Sequence, residues 1–170
     1  MNNFIGASLG DEAIAASVKA GIWGFVLVAL FLIFWYRLPG LLATIALTIY
    51  VALNLMIFKF VGVTLTAAGL AAFILSIGMA VDANILIFER MKEELSKGKI
   101  LKDAVKEGFS RAWLSIRDSN LSSIITATIL FWLGGTAIIK GFALVFAIGV
   151  ITSMFTAIIV TRTFLIALGF

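Results

Sequence analysis

LTAAGLAAFILSIGMAVDANILIF, residues 65–88, is an apolar run interrupted by a single ionisable side chain, Asp82. The run is long enough, as a helix rising 1.5 Å per residue, to cross a hydrocarbon core of about 30 Å. A carboxylate near the centre of such a helix costs about 2.5–3.5 kcal/mol on insertion scales, so a residue of this kind usually has a function. Lys59, Lys140 and Arg162 sit at the ends of their apolar runs, where a long side chain reaches the interface. Asp82 has no such route out.

The rest of the chain places this run in a membrane. Of 170 residues, 62% are hydrophobic and 13% charged, and the mean hydropathy is +1.16. A water-soluble domain of this length needs more polar surface than that. The chain has no cysteine and no histidine, which removes disulfides, thiolate chemistry and His/Cys metal sites and leaves carboxylates as the proton-handling groups. No cofactor or metal is expected. With no nucleophile–base pair around the isolated acid, an enzyme is not expected either. The net charge of +4 does not point to nucleic acid, because the basic residues concentrate in one loop as membrane topology requires.

Further apolar runs flank the first. Helices are predicted over 12–36, 38–58, 65–88, 121–139 and 142–161, with Asp11 as a cap for the first and Pro39 in the first turn of the second. The fold class is therefore an all-α integral membrane protein, a bundle of five transmembrane helices forming one domain over 1–170. Residues 89–117 carry Arg90, Lys92, Lys97, Lys99, Lys102, Lys106, Arg111 and Arg117. Placing them in the cytoplasm puts the N-terminus outside and the C-terminus inside. The start Asn2-Asn3, with Gly10-Asp11-Glu12 following, has no basic region of a secretory signal. An N-terminus outside without a signal suggests that an upstream region belongs to the whole protein. Within 89–117, Leu101, Ala104, Val105, Phe109, Ala112, Trp113 and Ile116 recur every three or four residues, predicting a basic amphipathic helix that lies on the membrane surface or packs under the bundle.

Small residues repeat at four-residue spacing, Ala72-Ser76-Ala80 and Gly149-Ser153-Ala157-Thr161, and are expected to be packing seams. Asn54 is expected to bond to a neighbouring helix, as is Asn84. Ser119, Ser122 and Thr126 fall on one face of the fourth span. Thr126 lies about 12 Å in from Asp118 at 1.5 Å per residue, and Asp82 lies about as deep from Glu89 and Arg90. The hydroxyls and the carboxylate are candidates for lining one hydrated path. Equally, the hydroxyls can bond their own helix carbonyls. Apolar surroundings favour a protonated carboxyl and a nearby cation favours a carboxylate, so alternation between the two states would carry a proton. No lysine or arginine of this chain lies mid-membrane to serve as that cation.

Gly78-Met79-Ala80-Val81-Asp82-Ala83-Asn84 with Ile87-Phe88-Glu89-Arg90 resembles the fourth transmembrane helix of the SecD protein-export family. Leu9-Gly10, Tyr36-Arg37, Leu65-Thr66 and Asp118-Ser119-Asn120 follow in the family's order. So does the block from Lys140-Gly141-Phe142-Ala143 through Ser153-Met154-Phe155-Thr156-Ala157 to Thr161-Arg162. The chain departs from the pattern at Ala7 and Ala68, where the family often has proline, and in Gly134-Gly135-Thr136-Ala137-Ile138. The resemblance covers nearly the whole chain and implies the second-to-sixth helices of a SecD half of the resistance-nodulation-division (RND) type. It implies an auxiliary component of the Sec translocase in the bacterial cytoplasmic membrane, using the proton motive force to promote export. It implies Asp82 as proton carrier, and as partners SecF, which would supply the counter-charge, the SecYEG channel, exported preproteins and membrane lipids. Two other readings stand beside it, a proton-coupled RND exporter of small molecules and a membrane scaffold in which Asp82 only sets helix register.

Overall fold

The structure, a computed structural model, describes residues 7–167. It contains helices α1 (Ala7–Tyr36), α2 (Leu38–Val61), α3 (Ala67–Ser96), α4 (Leu101–Leu133) and α5 (Ala137–Phe155), then a π-helical stretch, Thr156–Thr161, that leads into α6 (Arg162–Ala167). The all-helical membrane class expected from composition is what folds. α1, α2, α3 and α5 with its π continuation are each long and apolar enough to cross a membrane. α4 is divided, with a polar first half and an apolar stretch only from Leu121 to Leu133, about 20 Å at 1.5 Å per residue.

Boundaries differ from expectation where caps and helix continuity decide them. Asp11 does not begin α1, because the helix already runs from Ala7; its side chain lies outside the described residues. Arg37 alone separates α1 from α2, at φ +53°, and Pro39 occupies the first turn of α2 as expected. The fourth span ends at Leu133, not at residue 139. The Gly134-Gly135 pair breaks it, and the Thr136 hydroxyl accepts from the Ile139 amide at 3.3 Å to start α5 five residues earlier than expected. The separate amphipathic helix and fourth span are one 33-residue rod. Nothing from Phe109 to Leu133 is glycine or proline, and polar residues do not of themselves stop a helix.

α3 is the central helix, packed against α4 and α5 and touched by α1. The two small-residue stripes are packing seams, as expected. Ala72, Ser76 and Ala80 are buried, and so are Gly149, Ser153, Ala157 and Thr161. At Gly149 the fit is close enough that a Cβ would stand 2.5 Å from the Ser76 Cβ and Oγ, so only glycine lets α5 approach α3 there. Beside it the Tyr50 hydroxyl donates to Ser76 Oγ at 2.7 Å, and Ser76 donates to the Phe73 carbonyl at 2.7 Å. The Tyr50 and Ser76 hydroxyls deep in the bundle are thus bonded, while the buried Asn54 Oδ1 has no partner among the described residues. Asn54 departs from expectation. Its amide donates to the Tyr50 carbonyl one turn back in its own helix, at 2.9 Å, and not to a neighbour.

The amphipathic half of α4 packs under the bundle against the end of α3. Ala104, Val105, Gly108, Ala112 and Ile116 are buried, and α1 joins at its end, where the Tyr36 hydroxyl donates to Glu89 at 2.9 Å.

Candidate functional site

Helical geometry sets where Asp82 points. Val81, Ala83 and Asn84 are buried, while Asp82 is exposed on the open side of the same turn. Asn84 points into the bundle, where its carbonyl oxygen accepts from the Thr161 hydroxyl at 2.8 Å. This is the contact with a neighbouring helix that its position two residues from Asp82 suggested. Asp82 itself faces a groove of about 170 Å³ lined by Met79, Asp82, Ala83 and Leu86 of α3 and Ile116, Ser119 and Asn120 of α4.

The level of this groove follows from how α3 and α4 cross. A Cβ on Gly108 would meet the Met91 backbone nitrogen at 2.7 Å and its Cα at 2.8 Å, so the two backbones touch there. The helices run antiparallel. Nine residues back from Met91 on α3 is Asp82, and nine forward from Gly108 on α4 is Arg117, in the turn carrying Ile116, Ser119 and Asn120. Ser119 therefore stands level with the carboxylate, and Thr126 lies about two turns beyond.

Of the three hydroxyls proposed to line a path with Asp82, the structure brings only Ser119 to the groove. Ser122 and Thr126 are exposed farther along α4 and do not line it. Ser119 donates to the Ile116 carbonyl at 3.1 Å and Thr126 to the Ser122 carbonyl at 3.0 Å, the self-helix bonding usual for such residues in membranes. Asn120, which its helical face did not single out, is 4% exposed and joins Ser119 in the lining. The polar wall opposite Asp82 is thus one turn of α4, with an amide and a hydroxyl side by side. Both residue types donate and accept, so this wall can bond either protonation state of a carboxyl.

Among the described residues, the ion pairs lie in the α3–α4 hairpin and at Arg117–Asp118, and none includes Asp82. Most of the ion pairs among the described residues lie in this hairpin. Glu94, 1% exposed, is met by Lys97 at 2.6 Å, by Lys99 at 2.5 Å and by Arg111. Lys99 also pairs with Glu107, and this bond first, then Glu94, holds its ammonium above the ordinary lysine range. Arg162 lies over the Phe109 ring, 5.2 Å from its centroid, and ties the start of α6 to the same hairpin.

Comparison with known proteins places this arrangement among relatives. The family model for the C-terminal part of the protein-export membrane proteins SecD/SecF matches residues 1–170. The chain is 56% identical over 167 residues to the protein translocase subunit SecD of Thermobaculum terrenum, covering 96% of this chain and 32% of that protein. It is 47% identical over 158 residues to the Pseudomonas aeruginosa SecD, covering 93% of this chain and 25% of that one. It is 45% identical over 164 residues to the protein translocase subunit SecDF of Bacillus subtilis, covering 96% of this chain and 22% of the relative. The chain therefore spans about a third or less of the length of these three.

Proposed function

We propose a function from one established premise, that the chain belongs to the SecD/SecF family of protein-export membrane proteins. In this proposal residues 1–170 form a single transmembrane domain of the Sec translocation machinery in the bacterial cytoplasmic membrane. α4 supplies a fifth span beside the four apolar ones, the N-terminus faces outside and the C-terminus faces the cytoplasm. The domain promotes export of preproteins by transport and not by covalent catalysis. It does so beside the SecYEG channel and with a SecF-like bundle, and Asp82 carries the proton.

The observation that carries this reading is the position of Asp82. It is exposed on the chain's own surface, in a groove whose α3 wall is otherwise apolar; with the apolar run 65–88 read as a membrane span, lipid is its alternative neighbour. Leaving a carboxylate against lipid costs several times RT. A second helical bundle over the groove removes that contact and brings the counter-charge that this chain lacks mid-membrane. A carboxylate then forms when the cation approaches and takes up a proton when it withdraws. Each proton crossing the full field releases about 2.3 kcal/mol per 100 mV. Ser119 and Asn120 offer hydrogen bonds to both states, which lowers the cost of alternating between them.

Reconstitution tests the proposal. Vesicles holding the translocation channel, the preprotein and the whole SecD-type protein, with and without a SecF-like partner, are energised with a proton gradient. Stimulation of translocation is expected only when both bundles are present. Full stimulation without the second bundle would contradict the reading.

A further inference from the structure

Glu94 lies about 18 Å along α3 from Asp82, counting twelve residues at 1.5 Å, yet the two share a neighbour. α4 runs as one helix from the charged clasp around Glu94 to the polar wall of the groove. A rigid helix transmits translation, so whatever fixes its start along α3 also fixes which residues stand opposite Asp82.

The clasp is built to do this. Glu94 is buried between the helices and held by Lys97 and Lys99 of the connecting segment and by Arg111 of α4, while Arg111 also reaches Glu93 at 3.3 Å. The close approach of Gly108 to the Met91 backbone marks where the helices cross, and the small buried side chains Ala104 and Ala112 beside it offer little resistance to sliding. Glu94 has one partner on the opposing helix, Arg111, and two on the segment that leads into it, Lys97 and Lys99, so it adds a register-specific contact that sliding α4 along α3 would pull apart.

The stakes at the groove can be read from α4. A slip of one turn, 5.4 Å, would replace Ser119 and Asn120 with Ser115 and Ile116 in one direction, or with Ser123 and Ile124 in the other. Either way the amide opposite Asp82 gives way to an isoleucine. We propose that Glu94 is a positioning residue, whose clasp with Lys97, Lys99 and Arg111 sets the register of α4 on α3 and so holds Ser119 and Asn120 opposite Asp82. The consequence for proton carriage rests on the function proposed above; the register claim does not.

Cross-linking measures register directly, because the chain contains no cysteine. In the whole membrane-inserted protein, any cysteines elsewhere replaced by serine, Met79→Cys with Asn120→Cys, which stand opposite one another in the register set by Met91 and Gly108, reports the α3–α4 register at the groove. Asn84→Cys with Thr161→Cys reports the separate contact of α3 with the π-helical stretch. Oxidant-driven bridging of both pairs is expected in the parent. Adding Glu94→Gln is expected to lower bridging of the 79–120 pair at least fivefold and to leave the 84–161 pair unchanged. Unchanged 79–120 bridging in Glu94→Gln would overturn the proposal. Should Glu94→Gln lose both bridges, the bundle itself has come apart and Arg111→Gln, which leaves Glu94 its two lysines, is scored in its place. There a twofold or greater loss confined to the 79–120 pair supports the proposal, and no loss overturns it. Proton-driven export is measured on Glu94→Gln without the cysteine pairs. Lost register with export intact would uphold the positioning role of Glu94 and show that Ser119 and Asn120 are dispensable for export, whereas failure of the proton-carrier reading is scored separately on Asp82→Asn, so the two failures are distinguishable.

Discussion

Gly108→Ala probes the contact that sets the level of the groove. An alanine Cβ at this position stands 2.7 Å from the Met91 nitrogen and 2.8 Å from its Cα, both backbone atoms, where ordinary contact begins at 3.4 Å. No rotamer change relieves this, so α3 and α4 must part by about 0.7 Å, the gap between 2.7 Å and 3.4 Å. Overpacking of this kind costs about 1–3 kcal/mol. Replacing a mid-helix glycine returns about 0.5–1 kcal/mol of helix propensity. The expected net loss is about 0–2.5 kcal/mol, and the expected gap to a glycine-to-alanine change without the clash is the full overpacking cost of about 1–3 kcal/mol. Gly24→Ala, in α1 with no atom within 4 Å of the new Cβ, keeps the propensity term without the clash and is expected to hold or gain stability. Unfolding of the purified protein in mixed micelles, followed by helical circular dichroism, gives the difference. Gly108→Ala as stable as Gly24→Ala would refute the close crossing and with it the placement of Ser119 opposite Asp82.

Topology is tested with single cysteines and a membrane-impermeant thiol reagent on intact cells. Val63→Cys and Ala137→Cys are expected to label and Lys97→Cys is not; the reverse pattern would invert the orientation. The raised ammonium of Lys99 makes the clasp sensitive to alkali. Because the folded value lies above the ordinary 10.5, its contribution is full below that value and is lost as pH rises through the folded one. Thermal unfolding from about pH 9 to about pH 12 should therefore fall more steeply for wild type than for Lys99→Arg, whose guanidinium keeps its charge. Equal slopes would show that Lys99 does not hold the hairpin.

The helical membrane class was legible because 62% hydrophobic residues in spanning-length runs admit few other structures. Asp82 was legible for the same reason, as the one ionisable residue inside such a run. The groove's opposite wall was not. Periodicity assigns faces to a helix but says nothing about how far two helices slide past one another. Here Gly108 against Met91 and Glu94 against Arg111 decide that, and Thr126 was placed at the carboxylate's level where Ser119 stands. The cluster Arg117-Asp118-Ser119-Asn120 looked like a boundary between two helices; without glycine or proline the backbone simply continues through it. The start of α5 had a visible signal in Thr136, a hydroxyl residue two positions past a glycine, which the apolar run of Ala137 to Ile139 obscured. For Asn54, burial was legible, but a choice between its own helix and a neighbour depends on what stands opposite, and that is again a matter of register.

The central claim is that Asp82 carries protons for export, and Asp82→Asn addresses it most directly. Asparagine keeps the size and hydrogen-bonding capacity but cannot ionise, and removing a charge from lipid should not destabilise the bundle. Proton-gradient-dependent preprotein translocation is measured for wild type and Asp82→Asn at equal membrane levels, with ATP-driven translocation as the internal reference. Normal insertion, an intact ATP-driven step and loss of the proton-driven component are expected, with Asp82→Glu retaining at most part of it. Proton-driven export in Asp82→Asn equal to wild type would contradict the claim and make Asp82 a structural residue.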